Sequence, residues 1–273
     1  MAGLLSSWSD RVRFATLCLL AAIALSGCGL FSGEEEDKTA NWSAEKLYSE
    51  AQDEITAGGW DQAVKYLQSL QTRFPFGRYA QQALMEECYA QWKSYENDLA
   101  LSACDKFIKE YPNSPNIAYV YYLKGLINFN GDLGVLGGYT GQDPAERDPK
   151  SLRNSFEAFR EVATHYQDSR YYEDSLARMR YLVNALASHD IYVASYYLRR
   201  GALIAAVDRA KNVLVNYQQT PATEDALEIL VVGYGRLEMP ELQDDARRVL
   251  AKNFPNHVPG KFEPKTKVWW RFW

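Results

Sequence analysis

The sequence predicts an all-α chain, a solenoid of about five stacked helical hairpins that needs no single large core. Three observations carry this. A short aromatic mark recurs: Phe74-Pro75-Phe76-Gly77, Tyr111-Pro112-Asn113-Ser114, Tyr166-Gln167-Asp168-Ser169, Tyr217-Gln218-Gln219-Thr220 and Phe254-Pro255-Asn256-His257. The marks lie about 37, 55, 51 and 37 residues apart, which is the period of stacked supersecondary units, with insertions of roughly 15–20 residues in the two long intervals. The residues before each mark also keep one helical register. Four before stand Leu70, Phe107, Val162, Val213 and Leu250; seven before, Leu67, Cys104, Phe159, Ala210 and Arg247; eleven before, Ala63, Ala100, Ser155, Ala206 and Gln243. Steps of three and four put these on one helical face.

Small at the eleventh position and large at the seventh matches the A-x3-F element of the tetratricopeptide helix–turn–helix, a unit of about 34 residues. The small residue lets the partner helix approach, and the large one fills the groove between hairpins. The last repeat keeps the pattern poorly.

In chain order, Arg11 and Arg13 precede an apolar run from Phe14 to Leu25. At about 12 residues it is too short to span a bilayer and suits a signal-peptide core. It ends in Leu25-Ser26-Gly27-Cys28, which resembles the lipobox of bacterial lipoproteins. That resemblance implies removal of residues 1–27, diacylglycerol on the Cys28 sulfur and acylation of the new amine. Gly29 follows where an Asp favours inner-membrane retention in enterobacterial lipoproteins, so sorting to the outer membrane is implied. Several acyl chains anchor stably where one is marginal. Residues 28–42 read as an acidic tether containing Glu34-Glu35-Glu36-Asp37.

Hairpin helices are expected at Ser43–Ala57 and Trp60–Phe74, then Arg78–Lys93 and Asn97–Tyr111, with Gly58-Gly59 turning the first pair. Ser114-Pro115 opens the next helix, which runs to Asn130 and completes an N-terminal block over 43–130. Residues 131–149 form a glycine-rich loop insertion without the Gly-Lys-Ser/Thr ending of a phosphate loop. Asp148-Pro149 opens the C-terminal block, 150–257. There the pattern predicts Tyr171–Ala187, a separate short helix Asp190–Arg199, then Ala202–Tyr217. Thr220-Pro221 and Met239-Pro240 open the last two helices. Residues 258–273 leave the repeat as a basic, aromatic tail, expected to be a contact element that adds little to repeat stability.

Processing leaves 28 basic and 34 acidic side chains, which argues against broad nucleic-acid binding. Among the remaining cysteines, Cys88 and Cys104 flank the turn at Tyr95-Glu96-Asn97. They would lie at similar heights in a hairpin, and a periplasmic disulfide is one reading. Two buried free thiols is the other, since Cys104 fills a core position. His165, His189 and His257 make no metal-ligand spacing, and no G-x-S-x-G is present. Neither catalysis nor a cofactor beyond the lipid is indicated. Stacked hairpins without a catalytic set usually present a surface to peptides or domains.

Tyr48, Phe76, Tyr79, Trp92 and Tyr95 could meet an aromatic-rich extended segment, and each could equally fill space between repeats. Arg209 stands eight residues before its mark, where Tyr66, Ala103, Ala158 and Ala246 occupy the other repeats. A guanidinium at a packing position must find a carboxylate or reach the surface. Glu173, Asp174 or Glu224 could pair with it, or an acidic patch on a partner subunit could.

Together the lipobox, Arg73-Phe74-Pro75-Phe76-Gly77-x-Tyr79 with Gln81-Gln82-Ala83, Tyr111-Pro112-x-x-Pro115-Asn116-Ile117, Arg147-Asp148-Pro149 and Tyr196-Tyr197-x-x-Arg200-Gly201-Ala202 resemble the BamD family, lipoproteins of the outer-membrane β-barrel assembly machinery. The resemblance covers Cys28 to Phe254. It implies five repeats at the periplasmic face, with C-terminal repeats docking the central barrel-forming subunit and N-terminal repeats receiving targeting segments of unfolded outer-membrane proteins. Accessory lipoproteins of the machinery are further implied partners. A peptidoglycan-associated repeat lipoprotein is the alternative.

Overall fold

The five aromatic marks fold into one repeated turn. The backbone N–H of each of Phe74, Tyr111, Tyr166, Tyr217 and Phe254 donates to the carbonyl four residues earlier, at 2.8–3.0 Å. The carbonyl of each then accepts the N–H three residues later. One turn ends each second helix of a hairpin and aims the chain into the next hairpin. The computed structural model describes residues 39–130 and 149–263. The signal segment, Cys28, most of the tether, the loop at 131–148 and the tail beyond 263 lie outside the described residues.

Among the described residues every regular element is an α-helix. They run α1 Ala44–Ala57, α2 Trp60–Arg73, α3 Ala80–Lys93, α4 Asn97–Glu110, α5 Ile117–Asn130, α6 Pro149–His165, α7 Tyr172–Arg200, α8 Leu203–Asn216, α9 Ala222–Arg236 and α10 Pro240–Asn253. Residues 44 onward form one unit. In it each helix packs on the next, and first helices also meet, α3 with α5 and α7 with α9. This is the packing of tetratricopeptide-like hairpins. Thr39–Asn41 belong to the N-terminal unit as a turn that the Trp42 N–H closes on the Thr39 carbonyl at 2.8 Å. No described helix is long and apolar enough to cross a membrane.

The register read from the marks is the core. Leu70, Phe107, Val162 and Val213 are fully buried, as are Leu67, Cys104, Phe159 and Ala210. Ala63, Ala100, Ser155 and Ala206 are buried where partner helices approach. Ser155 caps this logic chemically: its hydroxyl donates to the Gly125 carbonyl at 2.9 Å, so a polar side chain sits in the core without an unmade bond. In the last repeat Arg247 is exposed, as its poor pattern implied.

The turns inside hairpins share a second geometry. Gly58, Tyr95, Gly201 and Glu238 all have positive φ, between 59° and 81°. The N–H after each reaches back five residues, as Gly59 to Glu54, Glu96 to Gln91, Ala202 to Tyr197 and Met239 to Tyr234. These are Schellman closures. Glycine takes this conformation without cost, whereas Tyr95 and Glu238 hold it against their side chains.

Two features depart from expectation, and one open alternative is decided. Residues 172–200 form one helix of 29 residues, not two. No Gly or Pro interrupts Ala187–Asp190, and Ala187, Asp190, Ile191 and Ala194 are all buried, so packing carries the helix through until Gly201 ends it. Cys88 and Cys104 are joined as a disulfide between α3 and α4. The start of the tail also stays on the repeat. Glu228 of α9 accepts the N–H groups of Gly260 and Lys261 at 2.8 and 2.9 Å, His257 Nδ1 lies 2.7 Å from Glu224, and Phe262 packs against the C-terminal core.

Candidate functional site

Five aromatics were expected to form a client-binding set, and they occupy two ends of α3. Tyr79 precedes that helix and Tyr95 follows it; 14 helical residues separate the ends by about 20 Å. Tyr48 and Tyr79 come together, their rings stacked at 4.8 Å and 16°. Phe76 is fully exposed in the same turn. At the far end Tyr95 is exposed, but Trp92 packs partly into the second-repeat core against Tyr89, at 6.1 Å. The Lys93 ammonium lies near both Trp60 and Trp92 rings, at 5.8 and 5.6 Å. Trp92 is therefore mostly structural, and the set is not one surface.

The Tyr48–Tyr79 end leads into a cleft of about 330 Å³ bordered by α1, α3, α5 and the turn before α7. Glu86 is its polar centre. Its carboxylate accepts the Tyr48 hydroxyl at 2.9 Å and the Gln82 amide at 2.7 Å, and also bonds the Gln52 amide. Burial pushes the Glu86 carboxyl above its ordinary value, although the three donors work the other way. Burial also raises the Tyr48 and Tyr119 hydroxyls, so both stay protonated donors at neutral pH.

The opposite wall is Tyr119 with Arg170 and Tyr171. Arg170 stacks over the Tyr171 ring at 4.9 Å and donates to its hydroxyl at 2.6 Å. Tyr171 stacks in turn on Tyr122 of α5 at 4.8 Å. Sequence reasoning missed Glu86, Tyr119 and Arg170. A signal existed: Arg-Tyr follows the first and third marks at the same offset, as Arg78-Tyr79 and Arg170-Tyr171.

Arg209 on α8 has an internal partner that the sequence did not suggest. Its Nη1 donates to Asp190 Oδ1 of α7 at 2.8 Å, and Asn212 donates to the second oxygen at 2.5 Å. Asp190 is buried while the Arg209 side chain remains 43% exposed. Glu173, Asp174 and Glu224 are not its partners. The Arg side chain both reaches the surface and neutralises a buried carboxylate, so no external acid is required to explain it. Cys28 lies outside the described residues. Among those residues no group of three His, Cys, Asp or Glu is placed to hold a metal.

The family model described as YfiO, outer membrane lipoprotein, matches residues 40–250. A Neisseria gonorrhoeae protein named outer membrane protein assembly factor BamD is 41% identical over 261 residues, covering 94% of this chain and 98% of the relative. Proteins of the same name from Xylella fastidiosa (strain Temecula1) and Vibrio cholerae are 36% and 31% identical. Those matches cover 93% and 89% of this chain and 87% and 99% of the relatives. The family model runs from the first helix into the last and is not confined to the turn motifs, and by these matches this chain belongs to the BamD (YfiO) family of outer membrane lipoproteins.

Proposed function

We propose that this chain is a lipid-anchored scaffold subunit of the machinery that assembles β-barrel proteins in the outer membrane. In this reading acyl chains on Cys28 hold it at the periplasmic face. The C-terminal repeats bind the central barrel-forming subunit, accessory lipoproteins add to the complex, and the N-terminal repeats receive client targeting segments. The observation that carries the reading is the 41% identity running nearly end to end with a relative named as an assembly factor. The stacked-hairpin architecture supports a scaffold, because it presents long surfaces built from many repeats.

The test is crosslinking mass spectrometry on isolated outer membranes, followed by affinity recovery in detergent. Barrel-assembly subunits and unfolded barrel proteins are the expected partners. Recovery of cell-wall enzymes in their place would favour the peptidoglycan-associated alternative. Cys28→Ala is expected to leave the chain uncleaved or soluble. Retention in the outer membrane after high-salt and carbonate washes would count against the lipid assignment.

A further inference from the structure

The turns after the first and third marks carry the same unit. Arg78 stacks over Tyr79 at 4.5 Å, and Arg170 over Tyr171 at 4.9 Å. In both, an Nη2 of the Arg bonds the hydroxyl of the Tyr beneath it. Each Tyr is stacked on a Tyr of the preceding first helix, Tyr79 on Tyr48 and Tyr171 on Tyr122, both at 4.8 Å. Each supporting Tyr donates its hydroxyl to a carboxylate of the next first helix, Tyr48 to Glu86 at 2.9 Å and Tyr122 to Asp174 at 2.7 Å. Marks two and four have Pro115-Asn116 and Pro221-Ala222 at these positions. Mark five has Val258-Pro259. The unit therefore occurs at two of the five turns, two hairpins apart, and is not a requirement of the turn.

Both guanidinium groups are fixed in orientation and short of acid. Arg78 has Glu45 at 4.0 Å, with both side chains about three-quarters exposed, a pair worth little. Among the described residues Arg170 makes no ion pair, its only polar partner being Tyr171. A planar guanidinium held against a ring keeps N–H groups free on its outer edge, which suits a carboxylate. The Glu86 cleft links the two units: Arg170 and Tyr171 wall it, and Glu86 in its lining accepts the hydroxyl of Tyr48, the ring on which Tyr79 stacks.

We propose that the Arg78–Tyr79 and Arg170–Tyr171 units form a two-point anchor for an extended peptide segment with carboxylates towards its ends and an uncharged middle. This rests on the client-binding reading above and deepens it, extending the client surface from the N-terminal repeats to the turn that opens α7. The ends are acidic because two arginines await acid. The middle is uncharged because Glu86, half-buried among Tyr48, Gln52 and Gln82, repels a carboxylate there. A peptide fits because the gap between the units is an interhelical cleft, which an extended chain enters and a flat lipid surface does not.

The test uses the full mature chain in detergent. Its probes are a fluorescein-labelled decapeptide of alternating Thr and Phe with Asp at both ends, and an amidated twin ended by Asn. Fluorescence anisotropy is expected to show the Asp peptide binding roughly ten-fold tighter, since each charge-assisted contact adds a modest amount. Arg78→Gln and Arg170→Gln should each weaken the Asp peptide several-fold and leave the Asn peptide unchanged. The double variant should remove the preference, with helicity by circular dichroism retained. Glu86→Gln should relax the exclusion of Asp from the middle of the peptide. Unchanged affinity in Arg170→Gln, equal loss for both peptides, or no binding of either would overturn the anchor. Loss of phosphatidylglycerol-vesicle binding in the double variant, with peptide binding intact, would assign the arginines to lipid and overturn it too. A peptide from the C-terminal strand of a barrel protein that binds wild type and both variants alike would sink the anchor and leave the client-binding reading standing.

Discussion

Two glycines show how differently single residues hold this fold. At Gly125 an added Cβ would stand 2.5 Å from a ring carbon of fully buried Phe159. Alanine gains about 1 kcal/mol of helix propensity there, but overpacking costs about 1–3 kcal/mol, so Gly125→Ala should lower the melting temperature. At Gly201 an added Cβ meets nothing within 4 Å, yet φ is +81°. Gly201→Ala should therefore cost about 1 kcal/mol through the backbone alone. Phe159→Leu in the same chain separates the causes: it should recover part of the Gly125→Ala loss and none of the Gly201→Ala loss. Glu86 makes a pH prediction. Its folded-state carboxyl is raised by burial, so the folded chain binds this proton before the unfolded chain does as pH falls. Its contribution to stability then rises as pH drops from neutral towards the ordinary carboxylate range. Thermal melts at pH 7 and pH 5 should show wild type gaining on Glu86→Gln at the lower pH. An unchanged difference would mean that the carboxyl titrates as freely in the folded chain as in the unfolded one.

Among the elements, α7 is the one that sequence patterning divided wrongly. The pattern predicts a gap at Ser188-His189, where the helix runs on without interruption. The buried Asp190 explains the lapse. It is a polar residue at a core position, held by Arg209 and Asn212 of α8, and a pattern of apolar residues does not count it. Arg209→Ala should cost about 3 kcal/mol, because it leaves a buried carboxylate with one neutral donor. Denaturant unfolding of the purified chain measures this. A change within 0.5 kcal/mol would show that the exposed guanidinium adds little, and would return Arg209 to the surface as a partner contact. Arg209→Glu should destabilise the chain further, because it would set two carboxylates against each other at the α7–α8 contact.

In the 44–273 unit the C-terminal boundary matters most. Glu224, Asp225 and Glu228 of α9 hold His257, Gly260 and Lys261, with the Lys261 ammonium 2.6 Å from Asp225. The clasp covers an end of the stack where the last repeat is poor in apolar residues, as terminal repeats must be. Truncation before Val258 should lower the melting temperature by several degrees, and truncation after Glu263 should not. Equal melts for both would mean that the clasp adds nothing to the stack. The Cys88–Cys104 bridge closes a loop of sequence separation 16 and should contribute about 3 kcal/mol by the chain-entropy account. Unfolding with and without reductant measures it.

By itself the sequence determined the repeat. Five aromatic marks, a 4–7–11 register before them and turn residues after them are local signals, and local hydrogen bonding and side-chain size suffice to interpret them. The same text gave Tyr48 and Tyr79 as candidates but joined them to Trp92 and Tyr95, because spacing along a helix does not say which end of it a side chain serves. Tertiary structure alone decided the rest. Glu86, Tyr119 and Arg170 share a cleft only because hairpins stack, which brings residues 84 positions apart to one wall and its opposite. Asp190 meets Arg209, and Glu228 meets the tail, for the same reason. A charge has no periodicity of its own, and only a packed neighbour determines whether it is buried, paired or free to bind.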